Sequence, residues 1–293
     1  MRCPQRAGMG SMCGSEAPYL MSELRLNQNN RYQALWEFAN GQSTVRTTPP
    51  TLQISRTNIC NFQCVYCTDH RVGNEIPRTK NEGETWQRLL QLIPRSETLS
   101  FHGISEFMVD PEFFDIVRRC GEAQVSLFIN TNGSVCGPRY YVDVLAGYPG
   151  RLSINFSLDA ATPETFLRMR GSDFDRILRN IRTYIGRFEP RRDRTWLSLS
   201  FVIMKSNVGE IPAFVHLAND LTVHAVKFYR LHEYPGLDWE IPTKAGPLFN
   251  YRSECAGHFV EEFNQKIEEA RRLAEEHRLY IELPACLVES KAA

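Results

Sequence analysis

The sequence predicts an α/β fold assembled from parallel βα units. From about residue 51, short apolar runs of strand length alternate with longer segments of helical length, the pattern of a parallel sheet with helical crossovers. The runs read as near-continuous apolar stretches, as in Val125-Ser126-Leu127-Phe128-Ile129, which suits strands covered by helices. At 293 residues the chain is long enough for one large core with extensions at both ends.

Taken in order, residues 1–50 read as an N-terminal extension, disordered in part, because Met1 to Pro18 is rich in Gly, Ser and Pro. Residues 23–40 have the length of one helix, with Leu24, Leu35, Trp36 and Phe38 available to cap a barrel end. Strands are expected near 51–55, 97–102, 124–130, 152–158, 196–204 and 224–231, and helices near 84–94, 110–120, 138–146, 173–187 and 208–219. These six units make a core of residues 51–232. Residues 233–256, with Pro235, Pro242 and Pro247, read as a loop. Phe259, Phe263, Ile267, Ala270 and Ala274 then mark one helix face by their three- and four-residue steps. Tyr280 to Leu283 follows as a short strand, so residues 233–293 form a C-terminal loop and helical cap.

Composition excludes several classes. Lys and Arg number 34 and Asp and Glu 34, so no net field favours nucleic acid or an anionic membrane. Arg191, Arg192 and Arg194 are broken by Asp193 and read as a solvated loop. No apolar stretch reaches the ~20 residues of a membrane span, and no hydrophobic signal core opens the chain. Nine cysteines, an odd number without a small-scaffold pattern, read as reduced thiols in a cytoplasmic protein.

Three of those cysteines carry the chemistry. In Asn58-Ile59-Cys60-Asn61-Phe62-Gln63-Cys64-Val65-Tyr66-Cys67, gaps of three and two residues let one loop point three thiolates at a common centre. Three thiolates can hold three irons of a [4Fe–4S] cube and leave the fourth open to a chelating molecule. On spacing alone, a zinc site of Cys60, Cys64, Cys67 and His70, or ordinary buried cysteines, is also available. Cys3, Cys13, Cys120, Cys136, Cys255 and Cys286 show no second constellation.

The loop resembles the CxxxCxΦC motif of radical S-adenosylmethionine (SAM) enzymes, with Tyr66 as the aromatic residue. Further segments are similar in the same order: Gly103-Ile104-Ser105-Glu106-Phe107 for that family's Gly-x-Gly-Glu-Pro, with Ser105 and Phe107 as departures, then Asn130 to Gly133, Ser157 to Ala161 with Arg170-Gly171, and Val202 to Asn207. The resemblance covers residues 50–232 and is nearest to the subgroup that often carries a C-terminal SPASM domain, whose further cysteines are expected to be absent here.

It implies a partial (β/α)6 TIM-like barrel, one [4Fe–4S] cluster on Cys60, Cys64 and Cys67, and SAM on the open iron. It also implies cofactor contacts from Tyr66 (adenine), Gly103, Ser105 and Glu106 (the SAM ammonium), Asn132, Ser157, Asp159 and Arg170 (the SAM carboxylate for Ser157 and Arg170), and Asn207 (ribose or adenine). A reduced cluster in this family cleaves SAM to a 5′-deoxyadenosyl radical that removes a substrate hydrogen, with electrons from an external donor such as flavodoxin or ferredoxin. With no second cluster expected, a redox-neutral rearrangement, elimination or epimerisation is favoured, and Cys286 is a candidate hydrogen donor in a tail folded over the site. The first fifty residues are shorter than a leader-binding domain, which points to a small sugar, nucleoside or amino-acid derivative as substrate. A ribosomal-peptide maturase is the alternative within the family, and a zinc-stabilised binding module the alternative outside it.

Overall fold

The computed structural model describes residues 26–68, 78–103, 105–136 and 140–288. Helix α1 (Leu26–Ala39) precedes six strands, β1 (Thr51–Ile54), β2 (Thr98–Phe101), β3 (Ser126–Thr131), β4 (Leu152–Ser157), β5 (Thr195–Ile203) and β6 (Ala225–Arg230), each paired in parallel with the next. Between them run α2 (Gly83–Leu92), α3 (Phe113–Glu122), α4 (Tyr140–Ala146), α5 (Pro163–Arg170), α6 (Phe174–Phe188) and α7 (Ile211–Asp220). A short antiparallel pair follows, β7 (Glu240–Ile241) with β8 (Phe249–Asn250), then α8 (Val260–His277) and β9 (Tyr280–Glu282). β9 pairs in parallel with β6, so the sheet has seven strands with β1 and β9 at its open edges.

The strand alternation sorts the two faces. Leu99, Phe101, Leu127, Ile129, Ile154, Phe156, Leu199, Phe201, Val226 and Phe228 are buried in the main apolar core between sheet and helices. Helix α6 shows how a crossover forms: Asp173 accepts from the Arg176 N–H at 2.9 Å, capping the first turn, and Phe174, Ile177, Leu178, Ile181, Tyr184 and Phe188 face the sheet at helical steps. A second apolar cluster joins Val65, Met169, Met204, Leu231, Ile241, Phe249, Tyr251 and Cys255, so the loop after β6 packs on the strand-end loops.

Two expectations change. Leu35, Trp36 and Phe38 are exposed and cap nothing, while Leu24 lies outside the described residues, as does His70. The buried face of α1 is polar instead: Glu37 accepts from the Arg46 N–H at 3.0 Å and the Thr47 hydroxyl at 2.7 Å, and Asn30 pairs with the Thr48 backbone. Residues 26–50 are thereby tied to the segment that leads into β1, and α1 falls within the helix expected at 23–40; Met1 to Pro18, where disorder was expected, lies outside the described residues. An unexpected helix, α5, starts at a Thr162 cap with Pro163 in its first turn and ends at Gly171 with φ 68°. The tail strand expected at Tyr280 to Leu283 extends the sheet beside β6. Among the described residues no helix is long and apolar enough to cross a membrane.

Candidate active site

The loops that leave the C-terminal ends of the parallel strands gather the residues singled out above, the place where α/β barrels build their sites. The cysteine loop leaves β1 through Arg56, whose guanidinium is buried and grips Asp110 with Nη1 2.8 Å from both carboxylate oxygens, and Glu112 at 2.7 Å. Trp86 lies 5.6 Å from the guanidinium and donates to Glu112 at 2.8 Å. This clamp fixes the loop to the start of α3. Its importance was not expected, although Arg56 beside the motif and the Asp110-Pro111-Glu112 run were visible. Further along, the Val65 N–H donates to Met169 O at 2.9 Å, which ties the loop to the end of α5.

Within the loop, Cys64 is buried and Cys60 and Cys67 are half-buried, none of them in a disulfide. The Cys60 sulfur accepts from the Phe62 N–H at 3.4 Å and lies 3.9 Å from the Asn132 amide nitrogen. Burial pushes the Cys60 thiol up and the Cys64 thiol up to about 12, the charge of Arg170 working against the latter shift. Loading of iron must therefore displace protons. Among the described residues no three His, Cys, Asp or Glu side chains converge tightly enough to hold a single ion. A cube takes each thiolate on a different iron. Three thiolates in one loop fit a cluster, and Arg170 Nε beside them is buried with no partner among the described residues, as are the Nε atoms of Arg56 and Arg168.

Glu106 sits behind this loop, 2 % exposed. It accepts from Thr131 Oγ1 at 2.8 Å and the Asn132 N–H at 2.7 Å, and its own N–H donates to Ile59 O at 3.2 Å. It thus joins the β2, β3 and cysteine loops, and burial raises its carboxyl above the usual range. Asn132 donates to Asn61 at 2.9 Å, and Gly133 turns the chain at φ 72°, where an added Cβ would meet Ile177 at 3.1 Å. Gly103 is exposed and Ser105 half-buried on the same side, next to the loop that Glu106 anchors.

Asp159 is a hub. At φ 62° its carboxylate turns back to accept from the Val202 N–H at 2.7 Å, from Arg170 Nη1 at 2.6 Å and from the Tyr66 hydroxyl, while Arg170 Nη1 also donates to Tyr66 at 2.7 Å. Asn207 gives both amide hydrogens to backbone, Asp159 O and Val202 O at 2.9 Å each, and accepts from the Met204 N–H. Asp159 and Asn207 are each 1 % exposed, with their polar atoms engaged by the chain, and they set the turn that carries Arg170 and Tyr66. Ser157, half-buried, donates to Asn130 at 3.3 Å on the face of the sheet opposite the helices.

Cys286 lies in the tail after β9. It is exposed, and its thiol lies 3.6 Å from Glu268 on α8, because Asn264 grips the Leu287 backbone at 2.8 Å and holds the tail on that helix. Cys255 is buried in the second apolar cluster with its thiol 3.5 Å from Tyr251 O, and Cys120 is buried in the main core.

Comparison with known proteins agrees with this geometry. The sequence profile of the radical SAM superfamily matches residues 54–216, more than half of the chain. A curated protein named "Probable GTP 3',8-cyclase" from Saccharolobus islandicus is 27% identical over 234 residues, covering 77% of this chain and 68% of the relative. One of the same name from Thermococcus kodakarensis is 30% identical over 173 residues, covering 57% of this chain and 52% of the relative. Among solved structures, Streptococcus suis SuiB bound to S-adenosylmethionine aligns with a TM-score of 0.61 at 15% identity, over 87% of this chain and 54% of that one. SuiB bound to its precursor peptide SuiA aligns at 0.63 and 14%, over 98% of this chain and 58% of that one. The chain spans a little over half the length of these structures, and the likeness is one of fold.

Proposed function

The chain belongs to the radical SAM superfamily, and from that premise we propose that it acts on a small biosynthetic molecule, a sugar, nucleoside or amino-acid derivative, in a redox-neutral reaction. It is an enzyme whose cofactors are a [4Fe–4S] cluster and SAM, and enzymes of this kind need a reductant and a substrate. When bound, that pair supplies one-electron cleavage of SAM and hydrogen abstraction; the protein supplies position and shielding. The observation that carries the reading is the thiol loop of Cys60, Cys64 and Cys67, clamped at both ends and backed by Glu106 and Arg170.

Each residue has a task in this reading. The three cysteines hold three irons. Glu106, with Asn132, Gly103 and Ser105, borders the place for the amino group of SAM, and Ser157 and the unpartnered Nε edge of Arg170 border the place for its carboxylate. Tyr66, held by Arg170 and Asp159, would offer its ring to the adenine. Orientation is the main catalytic contribution, since a misplaced C–H bond leaves the reactive species to attack something else. The relatives' printed name describes a cyclisation of GTP, which supports a nucleotide-class substrate and a rearrangement rather than a net oxidation. A flavodoxin or ferredoxin in a reducing cytoplasm suits the free thiols as electron source.

The test is anaerobic reconstitution with iron and sulfide, then incubation with SAM, dithionite and GTP or deuterated metabolites. 5′-Deoxyadenosine is expected, with deuterium transferred into it from the true substrate. Wild-type yields no higher than those of a Cys60→Ala, Cys64→Ala, Cys67→Ala variant would overturn the reading.

A further inference from the structure

The face of the sheet turned away from the helices carries an unusual row. Strand register places Ser157 of β4, Ser200 of β5, Lys227 of β6 and Glu282 of β9 side by side. Asn155 stands one row below and donates to Ser200 Oγ at 2.8 Å, and Ser200 Oγ lies 3.3 Å from Ser157 Oγ. Lys227 Nζ lies 3.2 Å from Glu282 Oε1 and 5.9 Å from the centroid of the Phe128 ring. Phe128 is on β3, three strands away, so the lysine stem lies across the concave floor rather than pointing out past the edge. Parallel sheets are normally apolar on both faces, and barrel interiors are filled by bulky branched side chains. Here the row instead carries small hydroxyls and a lysine whose side chain is 19% exposed.

We propose that this row is the substrate floor of the open barrel, and that Lys227 binds an anionic group, phosphate or carboxylate, on a hydroxyl-bearing substrate. The row runs from Ser157, at the SAM side, to Lys227, so an anion docked on the ammonium sets how far the reacting carbon lies from the cofactor. Glu282 holds the ammonium over the floor when no anion is present and competes with one that arrives. A lysine suits this task as a compact point charge with rotatable donors. A neutral substrate of the same shape would cover the ammonium without pairing it, which a dry site penalises. The identity of the floor as a substrate site rests on the function proposed above; the anion preference of Lys227 does not.

Reconstituted enzyme titrated with pyrophosphate and, separately, succinate tests the class and tells phosphate from carboxylate. One of the two is expected to bind saturably. Lys227→Met should weaken that binding about tenfold or more, the scale of one charge-assisted hydrogen bond, while Lys227→Arg stays within a few-fold and Glu282→Gln binds more tightly. Circular dichroism and iron content of each variant report folding. No saturation by either anion up to about 10 mM, or equal binding by Lys227→Met and wild type, overturns the proposal. Absence of 5′-deoxyadenosine from wild type with an intact Lys227-dependent titration would instead sink the enzymatic reading and leave the anion site standing.

Discussion

Arg170 and Asp159 form a buried ion pair, 2.6 Å from Nη1 to Oδ2, with Tyr66 of the cysteine loop hydrogen-bonded to both. The pair is the link between the end of α5, the turn after β4 and the loop that carries the thiols. Two ions in a dry place stabilise one another only while both are present. Asp159→Asn and Arg170→Met are each expected to cost about 3–5 kcal/mol, and the double variant less than the sum. Urea unfolding of the four chains closes the cycle, and additive losses would show that the pair does not hold the turn.

Glu106 makes stability depend on pH in a particular direction. Burial raises its folded-state pKa above the unfolded value of about 4.3. The folded chain therefore keeps that proton to higher pH, so this contribution is complete below about 4.3 and is lost as pH rises through the folded value. Glu106→Gln keeps the shape and removes the titration. The stability of wild type relative to Glu106→Gln should fall as pH rises above about 4.3 and level off once the raised folded-state value is passed. Parallel stability curves from unfolding at several pH values would contradict this.

Much of the frame was legible because burial on a parallel sheet imposes apolar runs, as at Leu152–Ser157 and Thr195–Ile203, whose ends fall within one residue of expectation. The cysteine triplet was legible because its spacing is local. The hub at Asp159 was not, since its carboxylate turns back to a backbone donor on β5 that no local pattern reveals. Helix α1 misled in the opposite sense: Leu35 and Trp36 suggested a buried cap, but distant partners at Arg46, Thr47 and Thr48 hold its polar face inward. Helix α5 could have been found from Thr162, Pro163 and Gly171, which are ordinary start and stop signals. β9 is three residues long, and its place beside β6 depends on how α8 packs across α7.

Iron content separates the cysteines by place. Wild type reconstituted anaerobically should hold about four irons, and the triple Cys60, Cys64, Cys67 alanine variant none. Cys120→Ala, Cys255→Ala and Cys286→Ala should load as wild type does, because two are buried in apolar clusters and the third faces α8. Iron and sulfide assays with electron paramagnetic resonance of the reduced protein measure this. A cluster signal surviving in the triple variant would mean that a second constellation exists.

Arg56 offers the last test, of how firmly the loop must be held at its first residue. Its Nη1 makes two 2.8 Å contacts to Asp110, whose side chain is fully buried, and its Nη2 reaches Glu112 at 2.7 Å. Arg56→Ala would leave the Asp110 carboxylate buried without its counter-ion, a loss of about 3–5 kcal/mol. Arg56→Lys restores the charge but not the fork that serves two carboxylates, so it should recover only part of that stability. The two variants then report on different things. Thermal unfolding follows the lost charge, while the rate at which iron leaves the reconstituted protein into a chelator follows the geometry of the loop. Arg56→Lys is expected to lose iron faster than wild type even at temperatures where its fold is intact. Equal release from Arg56→Lys and wild type would show that charge alone anchors the loop and that the forked geometry is incidental.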